Sequence, residues 1–225
     1  MEQTASNSSL AKFIVITGLV ALLYGVCAGL FILREPDTCF LLAMGKWIYE
    51  HQIIPTNDPF SYTFTLYPQP LGLVVYQWLT ELIFFSVYKF GGIISLQLFG
   101  CSILVLSFFV IPWHILNSFS LGSLRVSIII LWLVLGTVDR ILLKPEIFSY
   151  LFLSLFILVM VKNEIKAERT VNSKQIVILS IMMLLWANLH SGFVIGIILT
   201  LVLALRDLFF SLIQSSLKIN RLLWF

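Results

Sequence analysis

From Phe13 to Leu33 the chain runs for 21 residues without a charged side chain. Hydrocarbon about 30 Å thick takes roughly 20 apolar residues of helix to cross, while the core of a cleavable signal peptide has only about 7–15. The run is therefore read as a retained first membrane span, entered from a polar start, MEQTASNSSLAK. Further apolar runs follow at Gly92–Trp113, Leu121–Val138, Pro145–Val161, Gln175–Leu189 and Phe193–Phe210. Their charges, Arg125, Glu146, Arg206 and Asp207, stand near the ends. Only 11% of the 225 residues are charged and 60% are hydrophobic, against about 25% charged in an ordinary soluble domain. So few charges cannot clothe a water-facing surface. The expected fold is all-α: a single polytopic membrane domain over 1–225, a bundle of about six spans. The last residues, INRLLWF, open a new apolar run, so the natural chain is expected to continue.

A net charge of +3 gives no basis for a nucleic-acid partner, but the placement of Lys and Arg orients the spans. With a cytoplasmic N-terminus and six alternating spans, nine of the 14 Lys and Arg fall inside and five outside, the bias expected of cytoplasmic loops. Val74–Tyr88 is apolar enough to compete as a span. If it crossed, the inside count would fall to four and Glu81 would lie in hydrocarbon at a cost of about 3 kcal/mol. It is read instead as an external helix lying on the membrane or packed on the bundle.

Residues 34–91 then form one extracytoplasmic loop carrying membrane-surface helices. Phe40, Leu41, Met44, Trp47 and Ile48 recur at helical period, predicting a helix over 38–51 with one apolar face. Asp58-Pro59 is a turn signal, and Phe60, Tyr62 and Phe64 alternate with small polar residues as in a short strand. The three cysteines, Cys27, Cys39 and Cys101, are scattered, as neither a disulfide framework nor a metal site would be.

External polar groups gather in three places: Glu35, Asp37, Asp58 and Glu81 in the first loop; Asp139, Arg140, Lys144 and Glu146 in the second; Asn188, His190 and Ser191 in the third. All open on one face in this topology, where carboxylates, cations and an imidazole suit an acid–base site with an anion subsite. Each has a plainer role to set beside that one. Asp37 follows Pro36 and suits a helix N-cap. Asp58 forms turns. Glu81 in an apolar helix calls for a cation or a wet cavity. Lys144 beside a span snorkels, and His190 at an interface bonds to backbone.

Longer segments carry a resemblance. REPDTCFLLAMGKWIYEHQIIPTNDPFSYTF, YQWLTELIFFSVYKFGG, KPEIFSYLFLSLF and LWANLHSGFVIG stand in this order between residues 34 and 200. Together they resemble the N-terminal half of bacterial GT-C-type membrane glycosyltransferases. The group commonly has two aromatics and a histidine where this chain has Cys39, Phe40 and Leu41, His-Glu at Tyr76-Gln77, and Arg-Pro at Lys144-Pro145.

The resemblance implies a GT-C-like bundle in the inner (plasma) membrane that transfers a sugar from a polyprenyl-phosphate donor to an extracytoplasmic acceptor. Asp37 would then be the base, Lys144 or Arg140 would meet the departing phosphate, His190 or Asp58 would orient the groups, and Glu81 would help bind substrate. No cofactor is called for; a divalent metal is left open. A transporter or lipid flippase is the alternative, set against a span interior almost bare of polar groups apart from Gln97. A non-catalytic membrane subunit is the third reading.

Overall fold

The computed structural model describes residues 36–61, 75–137, 142–165 and 173–222, with the isolated Gly18 and Leu66. The expected first span Phe13–Leu33, Arg140, and Tyr62 and Phe64 of the aromatic ladder lie outside the described residues. The regular elements among the described residues are helices.

Helix α1 spans Pro36–His51. Proline suits the first helical position, where its missing N–H is no loss. Asp37 therefore sits inside the first turn, not at the N-cap its place suggested. The buried face is Thr38, Leu41, Met44, Gly45 and Ile48, while Phe40 is 44% exposed and stands edge-on to Phe60. That corrects the expected apolar face, which included Phe40. The helix stops where Gln52 turns left-handed (φ 58°) and its N–H bonds back to the Ile48 carbonyl at 2.8 Å.

Helix α2, Trp78–Val105, is two helices in one, broken at Gly91 and Gly92. Gly92 has φ 64° and ψ −154°, a conformation nearly confined to glycine. Phe84 and Phe99, equally far from this break, meet edge-on at 6.5 Å. The arm 78–90 therefore bends back toward 93–105 at this break. Thirteen residues make only about 20 Å of helix, so the arm is too short to span a membrane by itself. The second arm continues through a π-helical turn, Leu106–Val110, into α3, Ile111–Asn117. Pro112 lacks the N–H an ordinary turn would need there, and such widened turns accommodate the defect.

Four more helices follow: α4 Ser123–Leu135, α5 Glu146–Ile165, α6 Ser173–Leu189 and α7 Phe193–Leu222. Helix α5 runs parallel to the second half of α2: Phe148 lies 6.2 Å from Phe99, and the Ser154 hydroxyl bonds the Ser107 carbonyl at 2.8 Å. Helix α6 returns antiparallel, with Trp186 stacked on Phe152 at 5.8 Å. The core lies between them, around Phe84, Leu96, Ile130, Ile147 and Phe156.

Outward faces are apolar too. Leu124 and Trp132 on α4, Leu184 on α6 and Leu205 on α7 are each more than 60% exposed. Among the described residues, Trp78–Asn117 and Phe193–Phe210 are long and apolar enough to cross a membrane. The apolar stretches Leu124–Leu135, Glu146–Val161 and Lys174–Leu189 are shorter. Helix α4, at 13 residues, is shorter than the span expected from Leu121–Val138.

Candidate functional site

Four segments converge at one end of the helical core: the start of α1, the start of the α2 arm, the turn leading into α5, and the turn joining α6 to α7. Polar contacts tie them pairwise. Lys144 Nζ lies 3.6 Å from Asp37 Oδ2, with the Asp37 side chain 67% and that of Lys144 28% exposed. Next to this ion pair, the buried Thr38 hydroxyl donates to the Leu143 carbonyl at 3.5 Å. On the α2 arm, the Trp78 indole N–H donates to Asn188 Oδ1 at 2.9 Å and the Thr80 hydroxyl to the Leu189 carbonyl at 2.6 Å.

His190 is held from three sides. The Trp186 indole N–H donates to Ser149 Oγ at 2.8 Å. Ser149 Oγ in turn lies 2.7 Å from His190 Nδ1, and the Gly192 backbone N–H donates to the same nitrogen at 3.0 Å. A Cβ at residue 192 would overlap Ser149 Oγ and crowd His190 Nδ1, so the turn needs glycine there. Burial pushes the His190 imidazole below its usual value of 6.5, and the charge of Glu146 works against that shift.

Glu81 is 2% exposed. Gln77 Nε2 donates to its Oε1 at 3.4 Å, while Oε2 is buried without a hydrogen-bond partner. Burial pushes the carboxyl up to about 7, the bond from Gln77 opposing. Of the two settings expected, a cation or a wet cavity, the cation is not found among the described residues, where the hydrogen-bond partner of Glu81 is Gln77. The helix backbone at Glu81 is where α1 crosses, since a Cβ on Gly45 would overlap the Glu81 carbonyl and Phe85 Cβ.

The site residues expected from the sequence thus separate. Asp37 and Lys144 meet. His190 joins them through Ser149, in the first turns of the helix that Lys144 precedes. Glu81 is one residue from Thr80, which holds the same α6–α7 turn. Asp58 Oδ1 accepts the Phe60 N–H at 2.9 Å, the contact of a turn former. Arg140 lies outside the described residues. Ser149 and Trp186 were missed, although Trp186 precedes His190 by four residues, one helical turn on the same face. Among the described residues, no three His, Cys, Asp or Glu side chains gather where a metal ion would fit.

An open groove of about 430 Å³ lies beside this end of the fold, lined by Ile48, Gln52, Ile53, Ile54, Trp78 and Leu82. Compared with known protein families, with curated proteins and with solved structures, the chain shows no match.

Proposed function

We propose that this chain is a GT-C-like polytopic glycosyltransferase of the inner membrane, moving a sugar from a polyprenyl-phosphate donor to an acceptor on the extracytoplasmic face. The observation that carries the reading is the Asp37–Lys144 pair at 3.6 Å. A carboxylate and an ammonium side by side, at the end of apolar helices, supply the two opposite charges that such a transfer uses. Asp37 takes the proton of the acceptor group as it attacks the anomeric carbon. Lys144 meets the phosphate on which negative charge builds as the bond breaks. In the resting pair each neutralises the other; a donor phosphate draws Lys144 away and leaves the carboxylate free to act. The six-span topology, with both termini cytoplasmic and 34–91 outside, belongs to the same proposal.

The test is transfer from a fluorescent short-chain polyprenyl-phosphate sugar in liposomes. Asp37→Asn is expected to lower the rate by about 10²–10⁴-fold, the usual contribution of a general base. Lys144→Ala should raise the donor KM more than the acceptor KM. An Asp37→Asn protein that transfers at the unaltered rate would end the proposal.

One observation favours the non-catalytic subunit. Leu41 lies among the positions where the resembled group carries two aromatics and a histidine, and here it is 2% exposed, committed to the core. If the chain only supports a partner, both variants will leave transfer by the assembled complex unchanged.

A further inference from the structure

The contacts around His190 determine where its proton sits. A backbone N–H and an indole N–H can only donate. Gly192 N–H points at Nδ1, so Nδ1 accepts. The Trp186 N–H fills an acceptor position on Ser149 Oγ, and the hydroxyl proton of Ser149 is then directed at Nδ1, 2.7 Å away. A nitrogen that accepts from two donors carries no hydrogen. The frame is rigid: Trp186 is fully buried and stacked on Phe152, and Ser149 is 7% exposed. Protonating Nδ1 would set its N–H against that of Gly192 and force the Ser149 hydroxyl to turn away. The charged groups on the elements around the ring are Glu146 at the start of α5, Lys144 just before it paired with Asp37 of α1, and Glu81 on the α2 arm, whose Lys89 lies over the Tyr49 ring. Residues 175–189 of α6 and 193–205 of α7 carry none.

We infer that Ser149, backed by Trp186, is a positioning residue that holds His190 as a neutral imidazole with its proton on Nε2, so that the ring serves as a hydrogen-bond donor to an acceptor oxygen of the substrate. This excludes His190 as the general base and leaves that role to a carboxylate. The oxygen it takes belongs to a phosphate or to a sugar hydroxyl. The substrate half of the inference rests on the transferase reading; the proton's position does not.

Nitrogen NMR of the full chain with labelled histidines, in bicelles, tests it. His51, His114 and His190 are the histidines present, and each is assigned by loss of its signal on substitution to Gln. At pH 7 His190 is expected to show the Nε2–H pattern, and to stay neutral on acidification to its usual value of 6.5. Ser149→Ala should shift the tautomer ratio toward Nδ1–H by about tenfold, as loss of one hydrogen bond implies, and Ser149→Thr should restore it. An Nδ1–H signal in the unaltered chain, or a Ser149→Ala spectrum identical to it, overturns the inference. Farnesyl phosphate added to the bicelles should move the Nε2–H resonance. If the tautomer is as stated and that resonance moves neither with farnesyl phosphate nor with a short-chain polyprenyl-phosphate sugar, the lock stands and the contact with the donor is refuted.

Discussion

Helices α1 and α7 are both rich in apolar residues, and the fold treats them in opposite ways. In α1, Leu41, Met44 and Ile48 are at most 5% exposed, while Lys46 and Glu50 face outward and lie 3.8 Å apart. In α7, Val194, Ile197, Ile198, Leu201, Val202 and Leu205 are all exposed, from 43% to 64%. The first helix spends its apolar stripe inside the protein and turns a polar face to its surroundings. The second presents apolar side chains to whatever surrounds it, on a scale a water-facing monomer rarely tolerates. Hydrophobicity alone does not separate the two; the direction in which it points does. An outward apolar face of this extent suits hydrocarbon as its solvent, where close packing and hydrogen bonds, more than expulsion of water, bind helix to helix. The polar contacts at the α1 end of the molecule are then the ones that give the bundle its shape.

Cutting one side chain on each side of this contrast gives the largest expected difference. Trp186→Ala removes a fully buried ring, its stack on Phe152 and its bond to Ser149, and should cost about 3–5 kcal/mol. Leu201→Ala, at a side chain 57% exposed, should change stability by less than about 0.5 kcal/mol. Thermal melts in one detergent compare them. Equal losses would mean that α7 is packed as tightly as the core, and the contrast would fall.

A second, smaller effect separates the same regions by pH. The folded value of Glu81, about 7, lies above its unfolded value near 4.5. Its contribution to stability is therefore fully present below about pH 4.5 and is lost as pH rises through about 7. Glu81→Gln keeps the shape and removes the titration. It should stabilise the protein above pH 7, by about 1–3 kcal/mol, and change little near pH 4.5. His190 acts in the other direction: with its folded value below 6.5, its contribution is present above pH 6.5 and is lost as pH falls below it. The two windows overlap between about pH 4.5 and 6.5, where the slopes oppose each other, and above pH 6.5 only the loss from Glu81 continues. A Glu81→Gln protein whose melts follow the unaltered chain from pH 5 to 8.5 would show that the carboxyl is not buried as described. The segment Phe193–Leu205 of α7, which carries no charge, should contribute nothing to either slope.

Much of this arrangement is written in local sequence. The Gly-Gly pair at 91–92 was read as the end of the external loop, and the helix does break there, because Gly92 needs a conformation other residues avoid. The helix of α1 was legible from its period. Its facing was less so: Phe40 satisfies the periodicity, but the crossing at Gly45 rotates the stripe so that Thr38 turns inward and Phe40 outward. Asp37 and Lys144 were placed on one rim because each adjoins an apolar run, which fixes depth. Ser149 was invisible because a serine one turn into an apolar helix commonly bonds its own backbone; only the antiparallel return of α6 brings Trp186 and His190 to it. For Glu81, charge in an apolar helix calls for a cation or a wet cavity. The structure instead buries it beside Gln77, and nothing local in the sequence distinguishes those outcomes.

The last expected effect lies at the crossing itself. Gly45 has no room for a side chain: a Cβ would overlap the carbonyl of Glu81 and Phe85 Cβ. The obstruction is partly backbone, so no rotamer change relieves it and the two helices must move apart. Overpacking of this kind costs about 1–3 kcal/mol, which is the loss expected for Gly45→Ala. Gly122, at the start of α4, has nothing within 4 Å of a new Cβ, so Gly122→Ala should stay within about 0.5 kcal/mol and serves as the control. The two also differ in where the damage appears. Tyr49 leans on Phe85 at 5.6 Å and carries Lys89 over its ring at 4.0 Å, so separation at Gly45 loosens the whole contact between α1 and the α2 arm. Hydrogen exchange should speed up across 38–51 and 78–90 and stay unchanged across 193–210. If Gly45→Ala leaves the exchange of α1 as it was, α1 is held by its ends at Asp37 and Tyr49, and the close crossing is not what docks it.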